Sequence, residues 1–79
     1  MKRNANFVSL KERWPSSLVS RDKILEFSGG TIHPRTIANL DALGQGPKER
    51  LRIGKKVVYH VDSLIKWLEE RSEILDSED

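Results

Sequence analysis

The chain has 79 residues, 37% of them apolar and 33% charged, with a net charge of +2 and no cysteine. This length predicts one domain with a thin core, since a chain of this size buries about 60% of its unfolded surface. It excludes a disulfide framework and a thiolate metal site. No apolar run reaches the roughly 20 residues that cross a bilayer, and no signal-peptide core follows Met1, so a cytoplasmic, non-membrane protein is expected. The small net charge hides a division. Residues 1–61 carry 12 Lys/Arg against 5 Asp/Glu, whereas residues 62–79 carry 2 against 7. A basic body suits a polyanion, and an acidic tail turns away from one.

In chain order, residues 1–17 read as an arm with one short helical turn. Lys2 and Arg3 lie near its start, and Ser9-Leu10-Lys11-Glu12 has the form of a capping box. Trp14-Pro15 ends that turn, and Trp14 could lie as a lid on the domain. Ser20 is a suitable N-cap for a helix to about Ser28, with Val19, Ile24, Leu25 and Phe27 inward and Gly29-Gly30 as the stop. His33 reads as a turn or cap residue before Pro34, which suits the first position of a second helix, about Pro34 to Leu43. Ile37, Leu40 and Leu43 form its apolar stripe, and Arg35, Thr36, Asn39 and Asp41 its polar face. Two short helices across a glycine turn make a helix-turn-helix candidate.

After the loop Gln45 to Lys48, Leu51-Arg52-Ile53 alternates like a half-buried strand. Gly54-Lys55 fits a two-residue type II′ turn, and Lys56 to Val61 is the return strand, with Val57 and Tyr59 on one side. Asp62 is the expected cap of a last helix with Leu64, Ile65, Trp67 and Leu68 inward and a Lys66–Glu70 pair outward. Residues 72–79 are acidic, with Ile74 and Leu75 able to extend the helix by a turn.

Catalysis finds little support in these residues. His33 and His60 stand far apart without an acid motif, and His60 reads as a surface strand residue. Gly44 to Lys48 lacks Walker spacing, and Pro47 removes a backbone donor. No enzyme, cofactor or metal site is expected. Nucleic acid fits better. Arg35 can grip guanine and Asn39 adenine, each with two hydrogen bonds, and their spacing of four puts both on one side of a helix. Thr36 could bond a phosphate or serve the helix N-terminus, and both readings stay open. Arg50, Arg52, Lys55 and Lys56 line the hairpin, with Lys48 just before it, which suits phosphate or minor-groove contact. Lysines also blunt exposed edge strands. Trp67 and Tyr59, at helical and strand spacing with Leu and Val, read as core and not as base-stacking platforms.

The order of these elements resembles the MerR-like and excisionase-like (AlpA-type) winged helix-turn-helix proteins over about residues 18–71. The resemblance is carried by Pro34-Arg35-Thr36, Gly44-Gln45-Gly46-Pro47, Arg52 to Tyr59, and Asp62 to Leu68. It implies a mainly α fold with a small β-hairpin wing and sequence-specific binding of double-stranded DNA. The output would be recombination directionality or transcription control in a phage or mobile element. An integrase, recombinase or other DNA-bound protein would be a second partner. The chain departs from the family in its longer turn Ser28 to His33, in His33 where a small hydroxyl residue is usual, and in the added length Gly46 to Arg50. It lacks the long dimerising coiled coil of full MerR regulators, so a monomer, or assembly only along DNA, is expected. The alternative is a protein-interaction module on the same scaffold whose segregated charge steers a partner.

Overall fold

The structure is a computed structural model that describes residues 8–73, with side chains from Leu10 onward. The expectations for Lys2, Arg3 and the Ile74-Leu75 extension fall outside these residues. The architecture is a small α+β domain: α1 (Val8–Arg13), β1 (Leu18–Ser20), a 3-10 turn (Arg21–Lys23), α2 (Ile24–Phe27), α3 (Pro34–Ala42), β2 (Arg50–Ile53), β3 (Lys56–His60) and α4 (Val61–Arg71). The sheet is antiparallel with order β1-β3-β2.

The expected hairpin is therefore part of a three-stranded sheet. Leu18–Ser20 pairs with the far side of β3, Val19 opposite Tyr59, so these residues are a strand and not the approach to a helix. The single helix expected from Ser20 to Ser28 is divided into the 3-10 turn and the four-residue α2. Ser20 is the N-cap residue of the 3-10 turn, extended at ψ 152°, but its side chain makes no capping bond. The chain must turn sharply off β1 to carry Ile24 and Phe27 into the core, and the tighter 3-10 form makes that turn. Ser9 lies inside α1 and Asp62 inside α4, so neither is the N-cap. Asp62 instead pairs with Lys11 at 2.7 Å and ties α1 to the first turn of α4.

The hairpin turn fits the expected type. Ile53 pairs with Lys56, leaving Gly54-Lys55 as the loop. Gly54 has φ +62°, and among the described residues no residue type other than glycine has positive φ. A positive angle at the first central position alone is the type II′ pattern.

The core gathers Val19, Ile24, Phe27, Ile37, Tyr59 and the inward face of α4 at Val61, Leu64, Ile65, Trp67 and Leu68. Trp14 does lie over it: its ring meets Phe27 edge-on at 5.2 Å, and its Nε1 donates to the Leu18 carbonyl at 2.9 Å. The Trp67 indole is core as well, and its Nε1 donates to the Gln45 carbonyl at 2.9 Å. This bond fixes the loop after α3 against α4.

Two sequence expectations on α3 and β2 fail together. Leu43 is 68% exposed, while Asp41, expected on the polar face, is buried. Asp41 stands four residues after Ile37, so it shares that residue's inward side. Likewise β2 is exposed along its whole length, not half-buried. Its register places Arg50 opposite Tyr59 and Arg52 opposite Val57, on the core side of the sheet. Leu51 and Ile53 therefore point away from the core.

A polar network stands at the junction these residues create. Tyr59 Oη donates to Asp41 Oδ2 at 2.6 Å, Arg21 Nη2 donates to the same oxygen at 2.8 Å, and Arg21 Nε donates to Tyr59 Oη at 3.0 Å. One carboxylate thus joins α3, β3 and the turn after β1. Burial, with the hydrogen bond to Asp41, pushes the Tyr59 phenol up to about 12. Burial works against the Arg21 charge, but its bonds to Tyr59 and Asp41 hold its pKa above the ordinary value.

Breaking a buried pair by removing one partner costs about 3–5 kcal/mol. Arg21 keeps 27% exposure, so Asp41→Ala should cost about 3 kcal/mol, read as a lower urea midpoint. The raised Tyr59 pKa means the folded chain holds that proton more tightly than the unfolded one. The stabilisation is whole below the unfolded value near pH 10 and is lost as pH rises toward 12. Tyr59→Phe should lack this part of the alkaline loss when urea midpoints are compared across that range.

Candidate nucleic-acid interface

The side chains of Arg35, Thr36 and Asn39 are all exposed on α3. Pro34 opens the helix after an extended His33 (ψ 151°) whose side chain makes no capping bond. The first-turn N–H groups therefore lack a side-chain cap at the N-cap position, and Thr36 is exposed beside them. Beyond α3, Gln45 N donates to the Leu40 carbonyl at 2.8 Å, a bond that closes the helix and starts the loop.

The orientation of the hairpin follows from two contacts. Arg50, at the start of β2, comes within 3.8 Å of Asp41 Oδ1 near the C-terminal end of α3. Lys55 and Lys56, at the tip, line one hollow with Pro34 at the other end of α3 and with Arg21. The hairpin's outgoing strand thus runs beside α3 in the opposite direction. Arg50 and Arg52 are on the sheet side that faces the helix layer, and both are exposed. The hairpin thus meets α3 near both of its ends, at Asp41 and at Pro34. Arg35, Thr36 and Asn39 are exposed on that helix, and Arg50, Arg52, Lys55 and Lys56 are exposed on the hairpin. Lys48 is set apart. It lines a hollow with Gly46, Ser63, Lys66 and Trp67, between the end of α3 and α4.

Few of these charges are engaged within the chain. Arg35, Asn39, Arg52 and Lys55 have no side-chain hydrogen bond or ion pair among the described residues. Lys56 pairs with Asp22, whose carboxyl is held below its ordinary pKa by that hydrogen bond. Arg50 leans toward Asp41 but is 48% exposed.

Asp41, Arg21 and Tyr59 are contributors that residue type and spacing did not assign to the site. They join α3 to the sheet, and of the three Arg21 keeps some exposure, in the hollow with Lys55 and Lys56. Asp41 Oδ1 is buried without a hydrogen-bond partner. Gly46 explains how closely the loop approaches it, because a Cβ there would lie 1.8 Å from Asp41 Oδ1. Glycine is required at this place by contact, not by its backbone angle. The available signal was the spacing of Asp41 from Ile37, which puts a carboxylate on the apolar side of the helix.

Among the described residues no group of His, Cys, Asp or Glu has a metal-holding arrangement, and no helix is long and apolar enough to cross a membrane. His60 precedes α4 as its extended N-cap residue and is half-buried.

Both members of the Lys56–Asp22 pair are more than half exposed, and such pairs add little stability. Lys56→Ala should leave the thermal midpoint unchanged within error. A clear drop would mean that Lys56 is committed to the fold. The chain matches no protein-family model, and neither a curated protein nor a solved structure is detectably similar to it.

Proposed function

We propose that the chain is a DNA-binding protein of winged helix-turn-helix type, with α2 and α3 as the helix pair, α3 as the groove-reading helix and β2–β3 as the wing. The carrying observation is the antiparallel run of β2 beside α3. This run meets α3 at Asp41 and Pro34, and it supports the reading because Arg50, Arg52, Lys55 and Lys56 are exposed on the hairpin and Arg35, Thr36 and Asn39 on the helix.

An α-helix fits the major groove of B-DNA, and α3 at nine residues is about 13 Å long, enough to meet a few base pairs. Arg35 and Asn39 have the bidentate donors and acceptors for guanine and adenine edges. Arg50, Arg52, Lys55 and Lys56 supply phosphate contacts, which position a protein without reading sequence. Lys48, beyond the other end of α3, would meet the backbone separately. Excisionase-like recombination control, or transcription control of a mobile element, is the proposed setting on the sequence resemblance alone.

Fluorescence anisotropy with a mixed-sequence duplex at low salt tests the reading. Binding should weaken steeply with salt, each phosphate contact contributing about 0.9 to the log–log slope. Lys55→Ala with Lys56→Ala should weaken binding alike on all sequences and flatten that slope. Arg35→Ala or Asn39→Ala should instead relax discrimination between sites, by about 1–3 kcal/mol for each base that is no longer read. Absence of binding at low salt to mixed genomic fragments refutes the proposal.

A further inference from the structure

The sheet has a second face, away from the core, that shares only Lys56 with the proposed DNA-binding surface. Register places Leu18, Ser20, Leu51, Ile53, Lys56, Val58 and His60 on the side away from the core. Leu51 is 41% exposed and Ile53 54%. Ile53, with Trp14, Leu18 and Val58, borders a shallow groove of about 410 Å³ rimmed by Lys23 and by Lys56, which pairs with Asp22. Leu51 stands opposite Val58 beside it. A contiguous apolar patch within a cationic rim is the usual mark of an interaction site.

The chain itself contains a segment of matching chemistry. Residues 74–79 are Ile-Leu-Asp-Ser-Glu-Asp: two adjacent apolar side chains followed by three acids. The apolar pair suits the groove floor, and the acids suit Lys23 and Lys56.

The segment cannot serve its own groove. The inward face of α4 packs on the core, and Arg71 at its end lines the hollow with Gly44, Lys48 and Trp67 and not the groove. Ile74 is three residues further, a span of at most about 10 Å. A helix layer alone is about 10–12 Å thick, and the segment would also have to round the sheet edge. Symmetric pairing of two β2 edges is also disfavoured. With like faces aligned it sets Arg50 against Arg52, or Arg52 against its own copy, and like charges directly opposite are destabilising.

We propose that the outer sheet face, at Leu51, Ile53, Val58 and Leu18, binds the acidic C-terminal segment 74–79 of a second copy of this chain. The contact is head-to-tail, so it does not close on a pair and can continue from copy to copy. Six residues bury little area, so the contact is weak in dilute solution and gains weight where copies are concentrated. It does not rest on the DNA-binding reading, and its test contains no DNA.

A fluorescein-labelled peptide of residues 73–79 is titrated with the full chain and followed by anisotropy. Binding should saturate, weaken with salt, and fall at least tenfold for the double variant Leu51→Ser, Ile53→Ser. Both positions are exposed, and a matched thermal melt shows that the variant is folded. Saturable binding that disappears in the folded variant supports the proposal; no binding, or equal binding to the variant, overturns it. Carbodiimide coupling of a mixture of isotopically light and heavy chains decides the occupant. Mixed-isotope links between Lys23 or Lys56 and Asp76, Glu78 or Asp79 are expected, and links only within one isotope overturn the second-copy assignment.

Discussion

The arrangement depends on one buried carboxylate. Asp41 sits on the inward side of α3 and takes hydrogen bonds from Tyr59 on β3 and Arg21 after β1 through one oxygen. Removing a carboxylate from water is costly unless it is paired and hydrogen-bonded. Here the same bonds that meet the cost also set the spacing between the helix and the sheet. Gly46 closes over the other oxygen, and Arg50 approaches it from the edge strand. Without this junction the apolar contacts of α3 are chiefly Ile37 and the half-buried Leu40, a narrow hold on the core.

The junction occupies the core side next to β2, so Arg50 and Arg52 stay exposed there, while Leu51 and Ile53 lie on the opposite face of the sheet. The pattern Arg50-Leu51-Arg52-Ile53 alternates, yet every position is exposed. Cations therefore stand on the side of the helix layer and apolar groups on the opposite side. One four-residue strand carries two surfaces of different chemistry. The first suits a polyanion beside α3, and the second suits an apolar segment with acidic neighbours. The division of charge between residues 1–61 and 62–79 fits both.

How much was readable in advance depended on how local the signal was. Pro34 marked the start of α3, and the Gly54-Lys55 turn and the Leu64-Trp67-Leu68 spacing placed the hairpin and α4 within a residue or so. These are signals within one turn or one strand pair. Leu18–Ser20 does not read as a strand because three residues have no period of their own and pair with residues about 40 positions later. Asp41 reads as outward when charge is weighed above spacing, although its distance from Ile37 gives the inward position. Leu43 reads as inward when the apolar stripe is extended past Ala42, where the helix ends. The candidate DNA-facing residues all follow from type and spacing. What sequence could not supply was the direction of the hairpin along α3, and hence that Lys48 stands apart from the others.

In the proposed reading α3 and the hairpin form one surface for duplex DNA. Its most direct test is amide and side-chain NMR of the isotope-labelled chain during titration with a short mixed-sequence duplex at low salt. Shift changes should concentrate at Arg35, Thr36, Asn39, Arg50, Arg52 and Lys55, with the outer-face methyl groups of Leu18 and Val58 little moved. No shifts, or shifts confined to Leu18, Val58 and the residues of α4, would contradict it.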